Sequence, residues 1–120
     1  MTSENKKEFG DQGESIACNF LLENGYKIVK RNYRFGKGEI DVIATKDKLI
    51  IFVEVKTRNN QNFGPAELAV TKGKQNQVRK IAESFLYENN FTDYDCRIDV
   101  IAINYQGRDK YNLNHIINAF

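Results

Sequence analysis

The residues with the clearest chemical potential are Asp41, at the end of the run Gly38-Glu39-Ile40-Asp41, and the triplet Glu54-Val55-Lys56. Side chains on a strand alternate between faces, so Glu54 and Lys56 project one way while Val53 and Val55 enter the opposite layer. A hairpin brings Asp41 beside them. Two carboxylates within several ångströms in a sheet of Ile, Val and Phe repel each other, and both lose hydration. A divalent cation offsets that cost, and an all-oxygen donor set suits Mg²⁺ or Mn²⁺ rather than zinc. The lysine adds what a phosphodiester reaction needs, a cation that orients or activates water and offsets charge developing on the phosphorane. The alternative is a salt-bridged cluster on an exposed hairpin face, the better reading of Glu-x-Lys alone. The Gly-Glu-Ile-Asp run on the partner strand and the apolar strand before Glu54 favour the metal site.

Other chemistries find little support. His115 is the only histidine, which argues against His-based catalysis and a zinc site and leaves it a packing or surface role. Cys18 and Cys96 have neither CxxC spacing nor Cys/His neighbours and read as reduced packing residues in apolar-patterned segments. Thr71-Lys72-Gly73-Lys74-Gln75 lacks the first glycine and the Ser/Thr of a phosphate loop. Asp99, between Ile98 and Val100, is expected to be a structural partner of a nearby arginine or lysine.

The elements that must position these residues follow from periodicity. Ile16, Ala17, Phe20 and Leu21 recur at helical spacing, predicting a helix over residues 13–24 that stops at Asn24-Gly25. Residues 26–35 alternate as a strand, and Gly36-Lys37-Gly38 is a turn. Residues 39–45 and 49–57 form a hairpin across Lys46-Asp47-Lys48, its second strand apolar enough to be covered on both faces. A polar loop follows, with a helical turn opened by Pro65 and ending near Val70. Val78, Ile81, Ala82, Phe85 and Leu86 predict a helix over residues 72–89, and strands are expected over 96–104 and 111–117. A helix joining two strands implies a parallel right-handed crossover. The expected fold class is therefore α/β, a mixed sheet flanked by helices in the order α-β-β-β-α-β-β.

The 120 residues, 41% hydrophobic and 28% charged, are expected to make one globular domain, with residues 1–8 flexible. No apolar run approaches the roughly 18 residues of a membrane helix, and the N-terminus lacks a secretory apolar segment, so the expected location is cytoplasmic with no membrane partner. The net charge of +2 is too small to mark nucleic-acid binding by composition alone. Basic residues instead cluster locally, as Lys27, Lys30, Arg31, Arg34 and Lys37, and as Lys72, Lys74, Arg79 and Lys80. Beside a phosphodiesterase centre, Arg31, Arg34, Lys37, Arg58, Lys72 and Lys74 are the expected nucleic-acid contacts, through the backbone rather than base edges. Tyr33, Phe35 and Phe63 are candidates to stack on unpaired bases, with core packing the better reading for at least two of them.

The same motifs resemble the PD-(D/E)xK nucleases and, more closely, the YraN-type family of endonuclease-like proteins, distant relatives of archaeal Holliday-junction resolvases. The resemblance spans nearly the whole chain: Gly13-Glu14 and the first helix, Arg31-Asn32, Gly38-Glu39-Ile40-Asp41, Phe52-Val53-Glu54-Val55-Lys56-Thr57-Arg58, Phe63-Gly64, Arg97-Ile98-Asp99-Val100 and Asn118-Ala119-Phe120. It implies a restriction-endonuclease-like fold in which Asp41 and Glu54 bind the metal, the Val55 carbonyl contributes and Lys56 assists catalysis. Ile40 stands where the superfamily often has proline. Glu14 has two readings: the resemblance makes it a further ligand or base, while Asp11-Gln12-Gly13-Glu14 also fits a capping box. The function implied is a Mg²⁺- or Mn²⁺-dependent endonuclease acting on structured or branched DNA, with homodimerisation expected. The rivals are a non-catalytic nucleic-acid-binding module and an adaptor whose acidic cluster is a salt-bridge network.

Overall fold

The structure, a computed structural model, describes residues 3–58, 71–107 and 110–120, with side chains from residue 11 onward. Its elements are α1 (Ser3–Glu23), β1 (Lys27–Phe35), β2 (Gly38–Lys46), β3 (Leu49–Arg58), α2 (Lys72–Glu88), β4 (Asp95–Tyr105) and β5 (Tyr111–Ile116). The five strands form one sheet in the order β1-β2-β3-β4-β5. β3 and β4 run parallel, and the other neighbours are antiparallel. This is the mixed α/β sheet and the element order expected of a restriction-endonuclease-like fold.

The apolar run in β3 is central because it serves two layers. Ile51 and Val53 pack towards α1 with Ala17, Leu21, Ile101 and Ile103. Ile50 and Phe52 pack towards α2 with Val78, Ile81, Ala82 and Phe85. Those four α2 residues follow the i, i+3, i+4, i+7 spacing that lays one helix face on a sheet. Thr71 caps the helix by accepting from the Lys74 N–H at 3.1 Å. α1 ends as the sequence indicates: Gly25 adopts φ +89°, and the N–H groups of Gly25 and Tyr26 return to the carbonyls of Leu22 and Leu21, a Schellman arrangement.

Three expectations need correction or placement. α1 begins at Ser3, ten residues before Gly13; Glu4, Lys6, Lys7 and Glu8 are good helix formers without apolar periodicity, so the pattern that located the helix could not see its first turns. Asp11 is therefore inside the helix rather than at its N-cap, and the capping-box reading of Asp11 and Glu14 falls. Cys18 is buried as expected, whereas Cys96 is exposed near the start of β4. The turn over residues 65–70 and the residues Phe63 and Gly64 lie outside the described residues. Among the described residues, no helix is long and apolar enough to cross a membrane.

Candidate metal centre

The β2–β3 ladder runs from Lys46↔Leu49 to Val42↔Val53 and stops. The next pair in that register is Asp41 and Glu54, so the acids stand where the hairpin strands part. Strict alternation also breaks here: Ile40 and Ile43 both pack in the α2 layer, although Val42 and Ala44 pack in the α1 layer. The Asp41 carboxylate fills the gap, its Oδ2 accepting from the Val55 N–H at 2.8 Å. On an extended strand a residue's N–H and C=O point to the same side, so the Val55 carbonyl also faces the Asp41 side.

Two glycines let the helices close on this end of the sheet. A Cβ at Gly13 would collide with the Thr57 γ-methyl, and one at Gly38 would collide with Ile81 and Gln77. Gly13 thus lets α1 lie on the end of β3 and carry Glu14 to the centre, while Gly38 lets α2 settle on β2. From the first turn of α2, Lys74 Nζ reaches to 3.7 Å from Glu54 Oε1.

The electrostatics are those of crowded acids. Burial pushes the Asp41 carboxyl up to about 7; the Glu54 charge adds to this, the Val55 N–H pulls against it, and Glu14 and Glu39 push further up. Burial also raises Glu54, against the pull of Lys74 and Lys56. Glu14 is raised by burial despite Asn32 and Arg31, and its Oε1 is buried without a hydrogen-bond partner. Among the described residues Asp41 has no ion-pair partner.

The donor set fits a hard cation that keeps part of its own coordination shell. Among the described residues no group of three His, Cys, Asp or Glu stands ready to hold a metal. Two carboxylates and a carbonyl are oxygen donors of the kind Mg²⁺ takes while keeping several waters, and Glu14 bears on Asp41 through its charge.

The expected nucleic-acid contacts fall into two groups. Arg34 lies near the end of β1, Lys37 in the turn to β2, Arg58 at the end of β3, and Lys72 and Lys74 in the first turn of α2. Arg31 is opposite Val42, 3.8 Å from Glu14 and bonded to Ser15. Arg34 pairs with Glu39 at 3.4 Å, so the acids of the site already engage part of this basic edge. Tyr33 is half-buried, its ring packed edge-on against Phe85 with centroids 5.1 Å apart. Phe35 is exposed.

Asp99 sits across from Val53 on β4 and is fully buried. Arg97 grips it with two hydrogen bonds of 2.9 and 2.8 Å, His115 Nε2 lies 2.8 Å from Oδ2, and the Asn118 N–H donates at 2.9 Å. The expected basic partner is Arg97, readable from its i, i+2 position on the same strand face. The other partners have no local signal: His115 comes from β5, where it also meets Phe20 edge-on. The Lys74–Glu54 contact was equally unreadable, because α2 follows a long connection.

Comparison with known proteins follows the motifs. The chain is 48% identical over 118 residues to a UPF0102 protein of Natranaerobius thermophilus, covering 97% of this chain and 99% of that protein. It is 44% identical over 123 residues to one of Caldanaerobacter subterraneus subsp. tengcongensis, covering all of both. Among solved structures it is similar to Pyrococcus furiosus SfsA in complex with Ca²⁺, at 15% identity and a TM-score of 0.40, over 94% of this chain and 64% of that one. The family model matches residues 13–103, and with these relatives it shows that the chain belongs to the uncharacterised protein family UPF0102, the YraN-type family its motifs resemble.

Proposed function

We propose that this protein is a cytoplasmic, Mg²⁺- or Mn²⁺-dependent endonuclease that hydrolyses phosphodiester bonds of structured or branched DNA, acting as a homodimer. The observation that carries this reading is the Asp41–Glu54 pair: two neighbouring half-buried acids, one pushed up to about 7 and lacking an ion-pair partner among the described residues. A site with that much uncompensated negative charge calls for a positive ligand.

Asp41, Glu54 and the Val55 carbonyl would hold the ion, with Glu14 as a further ligand or base. When bound, a divalent cation neutralises the acid pair, polarises the phosphate and lowers the pKa of water. The Val55 N–H fixes one Asp41 oxygen, and the other would be the one to bind the ion. Lys56, projecting on the Glu54 face, offsets charge that builds on the phosphorane and orients the attacking water. Arg31, Arg34, Lys37, Arg58 and Lys72 follow the phosphate backbone, which gives binding that depends on nucleic-acid shape and salt more than on sequence.

The test is cleavage of linear, flap and four-way DNA with Mg²⁺ or Mn²⁺ by wild type, Asp41→Asn, Glu54→Gln and Lys56→Ala. Metal-dependent cleavage by wild type, lost by at least about a hundredfold in each variant, is expected. The second reading is a non-catalytic nucleic-acid-binding module, favoured by the partial neutralisation of Glu54 by Lys74. Wild-type binding without cleavage under either metal identifies the module.

A further inference from the structure

The two acids of the centre are tied in unequal ways. Asp41 is fixed by a short bond from the backbone N–H of Val55, at 2.8 Å. Glu54 is met by a side chain, the Lys74 ammonium, at 3.7 Å. That separation exceeds the 2.7–2.9 Å or so of a charge-assisted hydrogen bond, so the lysine holds Glu54 as an ion pair, without the short fixed bond that Asp41 has. Its side chain is 35% exposed against 18% for Glu54, which leaves it a path outward.

The placement of Lys74 is unfavourable on local grounds. It lies in the first turn of α2, where the helix dipole disfavours cations, Lys72 precedes it, and no acidic residue stands in that turn. Glu54 is the partner that compensates. A lysine is a compact charge on a flexible four-carbon stem, so its ammonium can move without any shift of the backbone.

We propose that Lys74 is the resident counter-ion of Glu54: it holds the carboxylate in the metal-free protein, gives it up on metal binding, and is then free to neutralise the substrate phosphate. This inference rests on the metal-centre reading and assigns Lys74 a positioning role distinct from that of Lys56. It also makes metal loading and phosphate binding mutually supportive, because the same ammonium leaves one and reaches the other.

The test is a titration of the full chain with Mn²⁺ alone, followed by the paramagnetic resonance of free Mn²⁺, for wild type, Lys74→Met and Lys74→Arg. Removing a competing charge should tighten Mn²⁺ binding by about tenfold in Lys74→Met, leave Lys74→Arg near wild type, and lower DNA cleavage at saturating Mn²⁺ in Lys74→Met. A merely structural lysine gives equal or weaker Mn²⁺ binding in Lys74→Met, and that result overturns the proposal while leaving the metal centre standing. Unchanged cleavage at saturating Mn²⁺ overturns the phosphate step. Failure of wild type to bind Mn²⁺ overturns the centre and the proposal together. Metal-free thermal melting confirms that the variants are folded, and Lys74→Gln repeats the test with a polar replacement.

Discussion

Asp99 and Asp41 flank the same central strand and meet opposite treatment. Asp99, opposite Val53, is buried completely, and burial alone would raise its carboxyl; hydrogen bonds from His115, Arg97 and the Asn118 backbone outweigh that and hold it below the usual range. Asp41, in register with Glu54, receives one backbone N–H and faces another acid, and its carboxyl is pushed up to about 7. Residue type and strand setting are alike, and the partners differ. A buried carboxylate supplied with donors ties strands together, whereas one left short of positive charge marks a place where the fold tolerates cost.

Four measurements press on that contrast. The largest effect is expected from Asp99→Asn, which leaves Arg97 and His115 facing a neutral partner: about 3–5 kcal/mol lost in denaturant unfolding. Metal-free Asp41→Asn should be as stable as wild type or more so. Comparable losses in both would erase the distinction.

Next comes pH. A carboxyl raised from 3.8 to about 7 keeps, in the folded state, a proton that the unfolded chain releases. Asp41 therefore destabilises the metal-free protein progressively as pH rises from near 4 to about 7. The loss is on the order of 3 kcal/mol, softened by solvent at a carboxyl that is not fully enclosed. Burial raises Glu54 and Glu14 too, so they add in the same direction. Asp99 has the opposite sign, its contribution present above 3.8 and lost as pH falls through its lowered value. Stability curves from pH 4 to 8 should flatten in Asp41→Asn and keep their slope in Asp99→Asn.

Mn²⁺ at a hundredfold excess over its dissociation constant should add about 2.7 kcal/mol to wild type and nothing to Asp41→Asn or Glu54→Gln, as read by thermal melting. The smallest change belongs to a solvent-facing pair. Arg34→Ala frees Glu39, and with Arg34 80% exposed the expected loss is about 0.5 kcal/mol or less. A larger value would show that charge pairs at this edge matter as much as buried ones.

Much of the sheet was legible because its strands carry their own signals. The β-branched run of β3 reads as a two-sided strand and Lys46-Asp47-Lys48 as the hairpin loop before it, but the register depends on Lys46 joining β2 opposite Leu49, which leaves a two-residue turn and sets Asp41 level with Glu54. The α2 face was legible from Val78, Ile81, Ala82 and Phe85. What remained hidden depends on contacts distant in sequence or on residues without periodicity. The polar start of α1 offers no apolar stripe. His115 reaches Asp99 only after β5 pairs with β4, and Lys74 reaches Glu54 only after α2 folds back over the sheet. Cys96 is exposed because an apolar-looking segment need not be covered at its first residues. The basic edge was visible as charge, but its engagement by Glu14 and Glu39 was not.

The missing side chain at Gly38 has a mechanical consequence. With Ile81 and Gln77 resting on its backbone, this position is the spacer between hairpin and helix, and a single methyl there acts as a wedge. It would displace the Ile81 and Gln77 side chains that seat α2 on β2, so the packing beside the acid centre is gauged by a residue that bears no chemistry of its own.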